Sequence, residues 1–271
     1  MEENTPINPV PEDNVNTTEE AISEPISVTD AMTGVLTEPG ETFASIKRTA
    51  KNNFWIIPIV IYIVISIVSR FLVTNDEELY TEIKTKQIES VKKRMDEQVK
   101  AGKMSQEDAN TKMEQMEKGF DKSGAIFLLS ITLGPIIGIL IILFIKGLIY
   151  WGVLKIFQGA ATYMQIIIVL SICSIIDSIQ VIIDTVLAIV AGRLFANIGP
   201  LLLFAKDSLN DTTATLLGHL DLLNIWYFII LGIGLAKLSS LKNTVTIPTV
   251  FALWIIWVCL TSFVKIPFFS L

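Results

Sequence analysis

The 27 residues Ile166–Gly192, IIIVLSICSIIDSIQVIIDTVLAIVAG, decide the fold. Only Asp177 and Asp184 are charged, and no proline interrupts the run. A helix needs about 20 predominantly apolar residues to cross roughly 30 Å of hydrocarbon, so the stretch reads as a membrane span. Four more stretches qualify on the same ground. Phe54–Val73 carries one charge, Arg70, close enough to its end for the side chain to snorkel. Ala125–Ile145 has no charge and stops at Lys146. Leu222–Ala236 is short and bracketed by Asp221 and Lys237. Thr244–Val264 is uncharged, contains Trp254 and Trp257, and starts near Pro248, where a first-turn proline is tolerated. Two shorter apolar pieces, Gly147–Phe157 and Leu194–Ala205, read as interfacial or re-entrant segments, the second broken by Gly199 and Pro200.

The composition of the 271 residues agrees with this. The chain is 51% hydrophobic and 18% charged, against about 25% charged in a soluble domain. Residues 1–30 hold eight acidic and no basic side chains, and residues 74–122 hold twelve acidic and ten basic, so 18 of the 48 charges serve the remaining 192 residues. A net charge of −6 argues against nucleic acid as a partner, since phosphate backbones call for a basic surface. The expected fold is an all-α polytopic membrane protein. Five transmembrane helices form it, the last four within a membrane domain at 123–271, and the lipid bilayer is the partner.

Two regions face water. Residues 1–30, rich in Pro, Glu, Asn and Thr, are expected to be a disordered acidic leader, acting as a solvating tail or as a partner-binding one. With no basic n-region and no early apolar run, a cleaved signal peptide is not expected, and the first span serves as the targeting signal. Residues 31–53 read as an amphipathic helix lying in the membrane interface. Met32, Val35 and Leu36 recur at helical spacing, Thr37 can cap, Pro39 suits a first turn, and Phe43 and Ile46 share a face ahead of Lys47, Arg48 and Lys51.

Residues 74–122 read as a charged helical hairpin of coiled-coil character. Leu79, Ile83, Ile88, Val91, Met95 and Val99 form one apolar stripe, and Ala109, Met113, Met116 and Phe120 form another. Ala101-Gly102 ends the first arm, and Ser105 with Asp108 starts the second. The stripes zip onto each other, or residues 76–120 offer a surface for a protein partner or for self-association.

Lysine and arginine in the short loops set orientation. Lys47, Arg48, Lys51, Lys146, Lys155, Lys237 and Lys242 on one side outnumber Arg70, Arg193, Lys206 and Lys265 on the other. The N-terminus is therefore expected inside and the C-terminus outside, in the inner membrane if the chain is prokaryotic.

Chemistry is sparse. His219 is the one histidine, and Cys173 and Cys259 fall inside spans as small buried hydrophobes, so neither a zinc site nor a nucleophile with its base can be assembled. No catalytic residue, metal or cofactor is expected. Gly232-Ile233-Gly234 reads as a close-packing site for neighbouring helices. Ser174, Asp177, Gln180 and Asp184 share one face of the third span, and ionisable groups in hydrocarbon are costly and functional by default. An ion or proton site follows, or else protonation or pairing with Lys146 or Arg193 satisfies the two acids. Asp221 and Asn224 extend the polar face or cap the fourth span.

The amphipathic stretch with Glu38-Pro39-Gly40-Glu41-Thr42-Phe43 leads into five spans. Leu220-Asp221-Leu222-Leu223-Asn224-Ile225-Trp226 and Leu231-Gly232-Ile233-Gly234-Leu235 come later in the chain. In these features it resembles the YIP-domain family, the Ypt/Rab-interacting membrane proteins, and most of all its prokaryotic branch. The resemblance covers about residues 31–268 outside the 74–122 insert and rests on Pro39, Phe43, Asp221, Trp226, Gly232 and Gly234. It implies a five-span bundle and, in eukaryotic members, vesicle trafficking with small GTPases as partners. The Asp-Leu-Tyr-Gly-Pro motif of those members is absent, the chain reading Leu36-Thr37-Glu38-Pro39-Gly40, so GTPase binding is not carried over. The expected function is a non-enzymatic scaffold or adaptor in membrane organisation. The alternative is a small transporter or channel using the acidic face of the third span.

Overall fold

A computed structural model describes residues 25–122, 124–194, 198–204 and 211–263. Most of the acidic leader, and with it Lys206 and Lys265, lies outside the described residues. Among the described residues the structure is helical without strands: α1 (Val28–Thr37), α2 (Pro39–Thr49), α3 (Ile56–Asn75), α4 (Glu77–Lys100), α5 (Gln106–Gly119), α6 (Ala125–Ile156), α7 (Tyr163–Ala191), α8 (Asp211–Gly218), α9 (Leu222–Ser239) and α10 (Asn243–Phe263). A 3-10 turn at Pro200–Leu203 is what the structure shows of the Leu194–Ala205 piece. Five helices, α3, α6, α7, α9 and α10, are long and apolar enough to cross a bilayer. The protein is an all-α multi-pass membrane protein.

The spans are not equivalent. α7 and α9 bury more than half of their apolar windows within the protein, whereas α3, α6 and α10 bury under a quarter and turn the rest outward. α7 is thus the axis of the bundle, with α3, α6 and α9 packed around it and α10 behind α9. Its start carries a capping box that the apolar reading began too late to include. Thr162 accepts from the Gln165 N–H at 3.3 Å, and the Gln165 side chain accepts from the Thr162 N–H at 2.9 Å.

Three expectations need correction. Lys146 does not end the second span. α6 runs 32 residues through it, so Gly147–Phe157 continues the same helix and is not a separate segment. Lysine is a good helix former, and the Ile167 and Tyr163 side chains of α7 pack into the space that Gly147 leaves one residue on, so the helix is held where it continues. At 1.5 Å per residue the helix is roughly 48 Å long and must project beyond the hydrocarbon or tilt in it.

The amphipathic segment, in turn, is two helices. Ser27 caps α1 by accepting from the Asp30 N–H at 3.0 Å, so Val28–Asp30 belong to a helix and not to the leader. Thr37 closes α1 instead of capping α2, and Glu38 takes the cap position with Pro39 as the first residue of α2. The apolar face goes into protein, not lipid. Ala31, Val35 and Phe43 are fully buried, Ile46 nearly so, and α2 packs along α9 while α1 reaches α7.

The third correction concerns Cys259, which faces outward on α10, whereas Cys173 is buried on α7 as expected. Pro248 also lies deeper in its helix than a first turn, at the sixth position of α10.

The hairpin is built as its spacing predicts. Asp76 caps α4 with bonds of 3.0 Å from the Glu78 and Leu79 N–H groups, and Ser105 caps α5 through Asp108 N–H at 3.0 Å. Gly102 turns the chain at φ +67°, a conformation open to glycine at little cost.

Candidate functional site

Polar groups in the membrane region fall into two clusters, and they divide the face that the sequence places on one helix. Ser174 belongs to neither. It is buried, and its hydroxyl donates to the Ser171 carbonyl of its own helix at 2.6 Å.

The first cluster surrounds Asp177. The charge acting on it is the Lys146 ammonium from α6. That ammonium also stands 5.7 Å from the centre of the Tyr227 ring of α9. Tyr62 of α3, Tyr227 and Cys173 all lie within the field of the Asp177 carboxylate. Four helices therefore bring one acid, one base and two phenols to one part of the bundle, with Lys146 reaching in from the exposed face of α6. An isolated carboxylate or ammonium there would cost several kcal/mol, and opposite charges from facing helices offset that cost. Lys146 is visible in the sequence, where it reads as a loop cation and, as one alternative, as a partner for the acids of the third span. Had 125–156 been taken as one helix, a lysine two-thirds along it, well before Lys155 at its end, would have pointed to a partner on a facing helix. Tyr62 and Tyr227 carry no such signal.

The second cluster lies at the hairpin end. The Asp184 carboxylate is supported by a side-chain hydrogen bond with Gln180 and feels the Asp221 charge across the α7–α9 contact. Asp221 is fully buried and caps α9, its Oδ1 accepting from Leu223 N–H at 2.7 Å and, more weakly, from Asn224 N–H at 3.4 Å. Nearby, Ser69 of α3 and Thr185 of α7 share a hydroxyl–hydroxyl hydrogen bond.

At the opposite end, α2 is fastened to the bundle. A Cβ added to Gly234 would meet Val169 Cγ1 at 2.7 Å and Phe43 Cζ at 2.8 Å, so the ring of Phe43 occupies the space that the missing side chain leaves. Burying such a ring is worth about 2 kcal/mol. Lys47 Nζ then donates to Ser240 Oγ at 2.6 Å beside the C-terminus of α9. Gly232, on the same helix, lets a different neighbour approach. A Cβ there would meet the Ile247 backbone at 2.9 Å, and Thr246 Oγ1 donates to the Gly232 carbonyl at 2.7 Å, which locks α10 to α9. Trp226 is half-buried against the core. Lys47, Arg48, Lys51, Lys155, Lys237 and Lys242 are all exposed at or near this end.

The hairpin is pinned at its root. The Tyr80 hydroxyl donates to the Phe120 carbonyl, its ring meets Phe127 edge-on at 5.8 Å, and Lys122 sits 4.2 Å over the ring while pairing with Glu77 at 2.8 Å. Burial, then the Asp121 and Glu77 charges, hold the Tyr80 phenol above its ordinary pKa, so it remains a donor. Farther out, Ile83, Ile88, Val91, Met95 and Val99 on α4 are half-buried. α5 has 14 residues against 24 in α4.

Among the described residues no group of three or more His, Cys, Asp or Glu side chains converges as a metal centre. Comparison with known proteins bears on the whole chain. The chain is 28% identical over 116 residues to a membrane protein, YknW, of Bacillus subtilis (strain 168). That alignment takes in 41% of this chain and 47% of YknW, so the chain spans about half the length of this curated relative. No solved structure matches. The Yip1 domain model matches residues 33–264, from within α1 to the end of α10 and across both polar clusters, and the chain belongs to the Yip1 domain family.

Proposed function

We propose that this protein is a non-enzymatic membrane scaffold or adaptor, acting in membrane organisation or trafficking-like processes through its water-exposed hairpin. The observation that carries the proposal is the unequal hairpin. α4 keeps its apolar stripe only half-buried beside an α5 ten residues shorter, and the root is pinned by Tyr80, Glu77 and Lys122. A pinned root with an incompletely covered shaft presents a stripe to another helix, which is the groove-and-helix mode of recognition. Family membership supports a membrane-associated role. The cell membrane is the proposed location, with the N-terminus cytoplasmic, as the cations around α2 and the α9–α10 turn favour.

The experiment is deletion of residues 76–120 with a short flexible replacement. The variant should insert and fold as before but lose cross-linked partner or self-association recovered with the full chain. Unchanged association rejects the hairpin as the recognition element.

A second reading, a small transporter or channel, draws on the two acids of α7. It requires ion or proton flux in proteoliposomes that Asp177→Asn or Asp184→Asn abolishes while the protein stays folded. Absence of flux across a panel of gradients removes it.

A further inference from the structure

Of the carboxylate oxygens that are buried without a hydrogen-bond partner in the described structure, two stand on neighbouring membrane helices: Asp184 Oδ1 on α7 and Asp221 Oδ2 at the start of α9. Native proteins satisfy buried polar atoms with few exceptions, and an unpartnered carboxylate oxygen is costly because it has lost its water and gained nothing. Asp221 is the sharper case. It has no exposed surface, and its other oxygen is fully engaged in capping α9 with the Leu223 and Asn224 N–H groups. The free oxygen is therefore held in place by the cap. The groups acting on Asp184 are Asp221 and Gln180, with no lysine or arginine among them. Asp177, by contrast, has Lys146. One acid of α7 has its counter-charge built in, whereas among the described residues no cation is named as acting on the other.

The geometry points to a divalent-cation site between α7 and α9, in which Asp184 and Asp221 supply the charged oxygens. Two carboxylates carry two negative charges, which one divalent ion neutralises, whereas a single proton leaves one charge buried. The donors are hard oxygens, which suit Ca2+ or Mg2+ over thiol- and imidazole-seeking metals, and among the described residues no His or Cys completes the group. Only two carboxylates are present, so the Gln180 amide, backbone carbonyls and water complete the shell, as both ions accept. The place suits such an ion. Asp221 begins its span and Asp184 lies eight residues before the end of its own at Gly192, so the site sits near the bilayer edge at the hairpin end. The ion ties the last turns of the central helix to the first turn of α9. This inference rests neither on the adaptor reading nor on transport, because binding at equilibrium needs no flux.

The test uses the full chain, purified in detergent and stripped with chelator, with Ca2+ as the probe. Equilibrium dialysis against 45Ca2+ should find about one ion per chain in wild type and in Asp177→Asn. At a hundredfold excess over Kd the unfolding midpoint should rise by about 5 °C or more. Asp184→Asn and Asp221→Asn should each weaken binding at least tenfold and lose the shift. Asn caps helices as well as Asp does, so the second variant keeps α9 intact. Absence of stoichiometric binding in wild type overturns the site, as does binding that both variants retain. If Asp184→Asn fails to fold, Asp221→Asn alone decides between the two outcomes. A wild type that binds no Ca2+, with either variant more heat-stable than wild type in chelator, identifies a proton-sharing acid pair and also overturns it.

Discussion

Phe43 fills the space of the side chain that Gly234 lacks: its ring Cζ lies 2.8 Å from where a Cβ on Gly234 would stand. This one contact joins the amphipathic N-terminal segment to the most buried pair of spans, α7 and α9, and turns a would-be interfacial helix into a member of the bundle.

Gly234→Ala should therefore overpack the joint and cost about 1–3 kcal/mol. α2 should loosen and the Lys47–Ser240 bond open, so trypsin should cut faster at Lys47 and Arg48. In a Phe43→Leu background the same substitution should cost less, because the ring that clashes is gone. Equal cost in both backgrounds, in a double-mutant cycle on thermal unfolding, would show that Phe43 is not what Gly234 accommodates.

Lys146→Met should destabilise the protein by about 1–3 kcal/mol, below the value for a fully buried pair because Lys146 is exposed on its helix surface. The loss comes from leaving Asp177 without its cation. Asp177→Asn in the same chain should recover much of it, since no charge then remains to be matched. Thermal midpoints of the two single variants and the double variant check this.

Tyr80→Phe removes the hydroxyl that donates to the Phe120 carbonyl and keeps the ring against Phe127. The expected loss is about 1 kcal/mol, confined to the hairpin root. Amide exchange should quicken around 118–122 and at the start of α4 while α7 and α9 stay as protected as in wild type. Uniform deprotection of the spans would mean that the hairpin and the bundle unfold as one unit.

His219 lies half-buried before α9, and burial lowers its pKa below the ordinary 6.5. Below about pH 6.5 the unfolded chain takes up the proton more readily than the folded one, so stability should fall as pH drops through and below that value. His219→Gln should flatten the profile between pH 7 and 5. Chemical unfolding of the two proteins at several pH values reads the difference directly.

Length and charge alone determined how many helices cross the membrane and where the water-exposed arms are. An apolar run of 20 residues has no other stable home, and the S-x-x-D start at Ser105 and the stripes of the hairpin are local signals acting over one or two turns. Pro39, Gly232 and Gly234 could be singled out on the same local grounds. What they pack against could not, because Phe43 and Gly234 are almost 200 residues apart and meet only when α2 folds back along α9.

The tertiary structure alone decided the fate of the charges. Lys146 reads as a helix end by local pattern, with pairing to Asp177 or Asp184 only one alternative; with Asp177 and Tyr227 near it in the fold, α6 continues through it for ten more residues. Asp177 and Asp184 share one face of α7 by spacing, yet different neighbours stand opposite each of them. Lys146 from α6 answers the first, and the Asp221 carboxylate from α9 confronts the second. A helix's own period sets which side chains point the same way. Which charges they meet depends on the helices packed against that face, and no local pattern encodes that.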